Sequence, residues 1–281
     1  MGVVISVKNF KKNYGSFEAI KGIDFDVEKG MIYGFVGKNG AGKSTTIRSM
    51  MNMIFPTQGE IIINGMDCSK NSKKIMEMTS YMPSDITYYD NLTVSEFLEF
   101  ILKFSSKTKD DMDELCLYFE LNSKKKISEL SLGNKKKATI VAMLLKDAEL
   151  LVLDEPTNGL DPLMQKKFFE LILKEKAKGN TIFLSSHNLM EVEKYCDKVC
   201  IIKDGIIVDI LDMKETKIRY KQGLHYTLKD GTEVNRDIDE DINETIKELA
   251  KLDLLTLEIK NKSVEDEFIT YYMDEEVADN E

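Results

Sequence analysis

"MIYGFVGKNGAGKSTTIRSMMNMI", residues 31–54, decides the fold. Its first six residues form an apolar run of strand length, and the stretch from Thr45 on has helical texture. Between them, Gly37 to Thr45 satisfies G-x-x-x-x-G-K-[ST], with a strand before and a helix after, where a phosphate-binding loop needs them. Gly37, Gly40 and Gly42 reach backbone angles closed to other residues. With Lys38, Asn39 and Ala41 between them, the loop can curl with its N–H groups turned inward onto phosphate oxygens. The helix start adds a partial positive charge aimed at the same anion. Lys43 is then placed for the β and γ phosphates of a nucleotide, Ser44 offers a hydroxyl to Mg²⁺, and Thr45 completes the motif. A glycine-rich turn without a ligand is the alternative, and it leaves the flanking strand and helix unexplained.

A nucleotide site of this kind also needs a carboxylate for the metal and a means of polarising water. "ELLVLDEP", residues 149–156, supplies both. Four apolar residues of a buried strand lead to Asp154 for the Mg²⁺ shell and Glu155 for the attacking water. Two acids at a strand end also suit a solvated turn.

The same alternation runs through most of the chain. "EIIING", "TIFLSS" and "VCIIKDG" are further strand-length apolar runs, and several such runs lead into helical segments, the pattern of a buried, mainly parallel sheet covered by helices. "VISVKNF" and "IDFDVEKG" predict an added antiparallel layer. Residues 89–149 read as a helical insert. There "TVSEFLEFILKF" opens with a capping-box spacing from Thr93 to Glu96 and sets Phe97, Ile101 and Phe104 on one face, more readily core than partner surface. A larger nucleotide-binding domain is expected over 1–215 and a small α+β unit over 216–281. In the latter, Asp230–Gly231 marks a hairpin, "DINETIKELAKL" a helix, "LLTLEIK" a strand and "SVEDEFITYYM" a final helix before an acidic tail.

Composition narrows the function classes. The 281 residues carry a net charge of -10, and from Glu233 to Glu281 there are 17 acidic against 5 basic side chains, so the body is close to neutral. A nucleic-acid partner would ask for a basic face, and none is expected. Cys68, Cys116, Cys196 and Cys200 are too scattered for a disulfide framework. Cys196 and Cys200 would share a face if they lay on one helix, but no further ligands stand near to complete a zinc site. No apolar run approaches the roughly 20 residues that span a bilayer. "MGVVIS" fits a lipidation pattern but reads more simply as the start of a strand.

Several segments in fixed order resemble the ATP-binding subunit of an ABC transporter over residues 3 to 210: Tyr14, "GKNGAGKST", "YMPSD" (81–85), "LSLGNKKK" (130–137), "LLVLDEP", "TNGLDP" (157–162) and "SSHNLMEVEKYCDKV" (185–199). The resemblance implies a P-loop α/β fold of the ABC ATPase type, with ATP and Mg²⁺ as ligands. It implies that Tyr14 stacks on adenine and that His187 meets the γ phosphate and supports Glu155. Ser131 and Gly133 would touch the γ phosphate held by a second subunit, with Asp161 at the contact between the two. Without the family order, Tyr14 would be a surface residue and His187 a helix cap. Lys135 to Lys137 read as a solvated, charged helix face.

Three positions depart from the family's usual pattern. Leu132 stands where most relatives have a second glycine, Asn134 where they have a longer polar residue, and Ser84 where a glutamine or glutamate reaches Mg²⁺, so that Ser84 would act through water. Lys38 replaces a more usual proline. The implied role is ATP binding and hydrolysis that powers transport, with export favoured by the likeness of "SVEDEFITYY" to the drug- and peptide-export branch. The implied partners are a second ATPase subunit, identical or different, and polytopic membrane permease subunits. The implied location is cytoplasmic, peripheral on the inner face of the membrane through the permease. Two alternatives stay open: a soluble ABC-type ATPase without a transport role, and a weakly active regulatory subunit of a heterodimer.

Overall fold

The computed structural model describes residues 2–85, 89–215, 222–238 and 242–261. The chain divides into two compact units, 1–210 and 211–281.

In the first unit, β1 (Val3–Tyr14) and β2 (Phe17–Glu28) form an antiparallel hairpin. β3 (Ile32–Val36) carries the apolar run before the phosphate loop, and α1 (Lys43–Met50) follows the loop. β4 (Gln58–Ile63) pairs antiparallel with β1, and β5 (Met66–Asp67) closes a four-stranded sheet in the order β2-β1-β4-β5. The second sheet has six strands, using β6 (Thr79–Met82), β7 (Leu150–Asp154), β8 (Thr181–Ser186), β9 (Lys198–Lys203) and β10 (Ile206–Asp212) in the order β10-β9-β3-β8-β7-β6. β3 runs parallel to β8 and β9, and β7 runs parallel to β6 and β8. Every residue of β3, β7 and β8 is buried, which is why those strands read as unbroken or nearly unbroken apolar runs. "EIIING" is the exception to the sequence reading. It forms β4 in the antiparallel sheet, because only Ile61 and Ile63 of that strand turn inward while Gln58 to Glu60 stay exposed.

The two sheets meet through an aromatic cluster. Phe25 of β2 packs on Tyr33, Phe35 and Phe183, with ring centroids 5.5 to 6.0 Å apart. The pairing of β4 with β1, irregular between Lys8 and Lys11, depends on Gly59, whose φ is +84° and whose position leaves no room for a side chain: a Cβ would lie 2.1 Å from the Asn9 carbonyl oxygen. Gly59→Ala is therefore expected to cost about 2–3 kcal/mol, lowering the thermal midpoint by roughly 5–10 °C. Gly65→Ala is the control, with φ +74° but open space around it, and should lose less.

The insert is helical. After α2 (Ser72–Met78) come α3 (Val94–Leu102), α4 (Lys109–Tyr118), a 3-10 turn at Ile127–Glu129 and α5 (Leu132–Leu145). The capping box at α3 is formed: the Glu96 N–H donates to Thr93 Oγ1, and the Thr93 N–H donates to Glu96 Oε2. The apolar face differs from expectation. Val94 and Leu98 are the buried residues of α3, Phe97 packs on Tyr89, and Phe104 is exposed because the helix ends at Leu102 and breaks the period. α6 (Pro162–Ala177) and α7 (Leu189–Tyr195) flank β8 in the chain. All four cysteines are free and buried; Cys196 ends α7 and Cys200 lies on β9, so they share no helix.

The second unit is a three-stranded antiparallel sheet and a helix. β11 (Gln222–Leu228) and β12 (Glu233–Asp237) form the hairpin around Gly231, whose φ of +89° matches the Asp-Gly turn. β13 (Leu254–Asn261) pairs with the other side of β11, and α8 (Ile242–Leu249) contributes Leu249 to a core with Leu224, Tyr226 and Ile238. The expected helix at "SVEDEFITYYM" lies outside the described residues.

Candidate active site

The sheet order explains how distant segments converge. β8 lies between β3 and β7, and all three run the same way, so their carboxyl ends stand side by side. The phosphate loop leaves β3, Asp154 ends β7 with Glu155 directly after it, and His187 follows β8. Ligands of open parallel sheets bind at this edge.

A cleft of about 470 Å³ opens there. Of the residues singled out from the sequence, it is lined by Tyr14, Lys38, Asn39, Gly40, Gly42, Lys43, Ser44, Thr45, Ser84, Glu155 and His187. Gly37 and Ala41 are buried behind the loop, where a Cβ on Gly37 would lie 2.3 Å from the Ile202 carbonyl oxygen. The helix behind the loop starts at Gly42, with φ +111° and no side-chain cap, so its first N–H groups face the cleft without competition. Lys43 is buried. Its Nζ donates to the Gly37 carbonyl at 2.6 Å and stands 3.3 Å from Glu155 Oε1, outside hydrogen-bonding geometry but within ion-pair range.

Asp154 and Glu155 are locked by a serine that sequence reasoning missed. Ser185 on β8 donates its hydroxyl to Asp154 Oδ1 at 2.6 Å and accepts the Glu155 N–H at 3.0 Å. Asp154 is fully buried and its second oxygen, Oδ2, has no partner. Burying an unpartnered carboxylate oxygen is costly, and a cation bound beside it would remove the cost. Among the described residues no cluster of three or more His, Cys, Asp or Glu exists to hold a metal alone. That donor set fits Mg²⁺, which takes one or two carboxylates and completes its shell with phosphate oxygens and water.

Glu155 adopts φ +49°, a left-handed conformation unusual for a side-chain-bearing residue. His187 Nδ1 lies 2.7 Å from Glu155 Oε2; a carboxylate only accepts, so Nδ1 carries the proton. The Glu155 carbonyl accepts from Lys136 Nζ at 3.0 Å. This overturns the reading of Lys135–Lys137 as a solvated face: Lys136 is 5% exposed and Lys135 is half-buried, paired with Asp90 at 3.3 Å. The buried stripe of α5 that includes Ile140 and Met143 continues back one turn to position 136, and that phase was available in the sequence. Burial pushes the Lys136 pKa down, opposed by the nearby carboxylates of Asp154 and Glu155. On the other side, Thr157 donates to Glu191 Oε2 at 2.8 Å, and burial raises the Glu191 carboxyl.

Phe17, Ala19 and Asn158 also line the cleft and were not foreseen. Phe17 pairs directly with Tyr14 across the β1–β2 turn, so two exposed aromatic rings flank the mouth. The signal was present as two aromatics on either side of a two-residue turn.

Ser131, Gly133 and Asp161 are not in this cleft. Ser131 caps α5, with its Oγ accepting the Asn134 N–H at 3.4 Å, and Asp161 caps α6, with Oδ1 accepting the Met164 N–H at 3.0 Å. Both are exposed. Their segments adjoin each other: a Cβ on Gly133 would stand 3.5 Å from the Gly159 carbonyl oxygen.

The fold and the cleft define a P-loop nucleotide-binding ATPase. A family model described as ABC transporter matches residues 20–158. The chain is 38% identical over 234 residues to the bacitracin transport ATP-binding protein BcrA of Bacillus licheniformis, which covers 82% of this chain and 76% of that one. It is 35% identical over 213 residues to the linearmycin resistance ATP-binding protein LnrL of Bacillus subtilis (strain 168), covering 74% and 68%. Among solved structures, an ATP-binding subunit of an ABC transporter aligns with a TM-score of 0.70 at 29% identity, over 77% of this chain and 92% of that one. The dimeric bacterial ABC transporter cassette MJ0796 aligns at 0.68 and 21% identity, over 74% and 98%, a likeness of fold. The chain belongs to the ATP-binding proteins of ABC transporters, and it is an ATPase.

Proposed function

We propose that this ATPase powers export of a small molecule or peptide through separate membrane subunits, and that it works as a pair of cassettes sharing two composite ATP sites. The observation that carries the pairing is the division of the site residues: the phosphate loop, Glu155 and His187 share one cleft, while Ser131, Gly133 and Asp161 lie outside it, Ser131 and Asp161 exposed and Gly133 half-buried. A serine and a glycine at the start of α5 suit contact with phosphate. Lying outside their own chain's cleft, they serve the cleft of a second copy or a related chain. Among the described residues no helix is long and apolar enough to cross a membrane. Relatives named for bacitracin transport and linearmycin resistance support the export direction.

In this reading Tyr14, with Phe17, stacks on the adenine. The loop N–H groups and Lys43 hold the β and γ phosphates. Ser44 and Asp154 would hold Mg²⁺, with Ser84 reaching it through water; the bound cation neutralises phosphate charge. Glu155 polarises the attacking water and takes its proton as the water oxygen bonds to the γ phosphorus and the bridging P–O bond to ADP breaks. His187 holds the Glu155 carboxylate by the 2.7 Å contact and faces the γ phosphate.

Affinity purification of the tagged protein from membranes of its native cell tests the transport role. A partner with multiple membrane spans is expected to copurify in stoichiometric amount. Recovery with no polytopic partner would overturn the role.

A further inference from the structure

The peptide of Glu155 is clamped from both sides. Its N–H goes to Ser185 Oγ at 3.0 Å and its carbonyl to Lys136 Nζ at 3.0 Å, while the residue itself sits in the left-handed region. Such a conformation persists only where the surroundings enforce it. Lys136 is a costly enforcer, an ammonium withdrawn from water on an otherwise apolar stripe of α5. The same helix begins at Ser131, five residues or about 7.5 Å earlier along the axis. A rigid helix thus joins, within one chain, the residue assigned to the partner's phosphate and the backbone that aims the carboxylate of its own cleft.

We infer that Lys136 is a positioning residue for hydrolysis: its ammonium fixes the Glu155 peptide so that the carboxylate faces the water, and ties that aim to the position of α5. The inference rests on the reading of Glu155 as the residue that polarises water.

The test uses the purified full chain with Mg·ATP. Lys136→Met keeps the stem and removes the donor; its kcat is expected to fall roughly 10- to 100-fold, the loss that a misplacement of about 1 Å brings. KM and the affinity for a fluorescent ATP analogue should stay within about twofold, since the cleft's binding residues are untouched. Lys136→Arg, which keeps the cation, should recover most of the turnover. Hydrogen exchange should quicken in the peptide spanning residues 154–160 of Lys136→Met, a change that turnover alone does not report. In a Glu155→Gln background, Lys136→Met should cost less than about threefold more, because the group it aims is already gone. If Lys136→Met does not fold, Lys136→Ala, a good helix former that admits water to the vacated volume, carries the same expectations. Turnover in either variant within about threefold of wild type, with Glu155→Gln strongly impaired, would overturn the proposal, as would losses that simply multiply in the double variant. Wild-type turnover in Glu155→Gln would instead sink the reading of Glu155, and this proposal with it.

Discussion

Glu155→Gln is expected to lower kcat by roughly 10²- to 10⁴-fold while ATP still binds. The exchange preserves the side chain's shape, so the 2.7 Å contact with His187 can persist, but an amide cannot take a proton from water. Binding should tighten by about two- to tenfold, because the substitution removes a negative charge 3.3 Å from the Lys43 ammonium and beside the polyphosphate it serves. Wild-type and variant turnover under saturating Mg·ATP, with nucleotide affinity measured separately, checks both arms. The result also separates an active subunit from a regulatory one. An active subunit loses its turnover on this substitution. A regulatory subunit, weakened at Leu132, Asn134 and Ser84, would show the same low rate before and after.

What was legible in the sequence follows a physical divide. The phosphate loop, Asp154–Glu155, the capping box at Thr93 and the hairpin at Gly231 are local: strand, turn and helix cues sit within a few residues, and the structure forms each of them. The placing of β8 between β3 and β7 is not local. It pairs Gly34 with Leu184 and Asp154 with Ser185, partners brought together by the whole sheet, so the serine that fixes both acidic residues carried no mark of its role. "EIIING" went to the wrong layer for the same reason, since short apolar runs look alike whichever sheet they join. Lys136 shows another limit. Composition made three consecutive lysines a solvated face, whereas the phase of the apolar residues behind them placed one in the interior. Where charge and period disagree on a helix that packs on both its sides, period decided.

Mixing two inactive variants should restore activity. A chain with Lys43→Ala loses phosphate binding in its own cleft but keeps Ser131 and Gly133. A chain with Ser131→Arg keeps the cleft and blocks the surface offered to a partner. Each alone, paired with itself, has no intact composite site and should turn over at less than about 1% of the wild-type rate. In an equal mixture about half of the pairs are mixed. Each mixed pair joins the intact cleft of the Ser131→Arg chain to the intact Ser131 of the Lys43→Ala chain, so one site in two is whole. If the two sites act independently, the mixture recovers about a quarter of wild-type turnover. A site completed within a single chain predicts no recovery, since each variant would then carry its own defect. The geometry separates these outcomes sharply, because Ser131 and Asp161 are exposed caps of α5 and α6 while their own chain's cleft is lined without them. The same sharing makes turnover per chain depend on concentration. It should fall as the wild-type protein is diluted through the dissociation constant of the pair, with permease subunits absent so that they cannot hold the cassettes together. Rates that stay constant down to concentrations at which only single chains remain would place the whole site in one chain, and the mixing experiment would then show no recovery either.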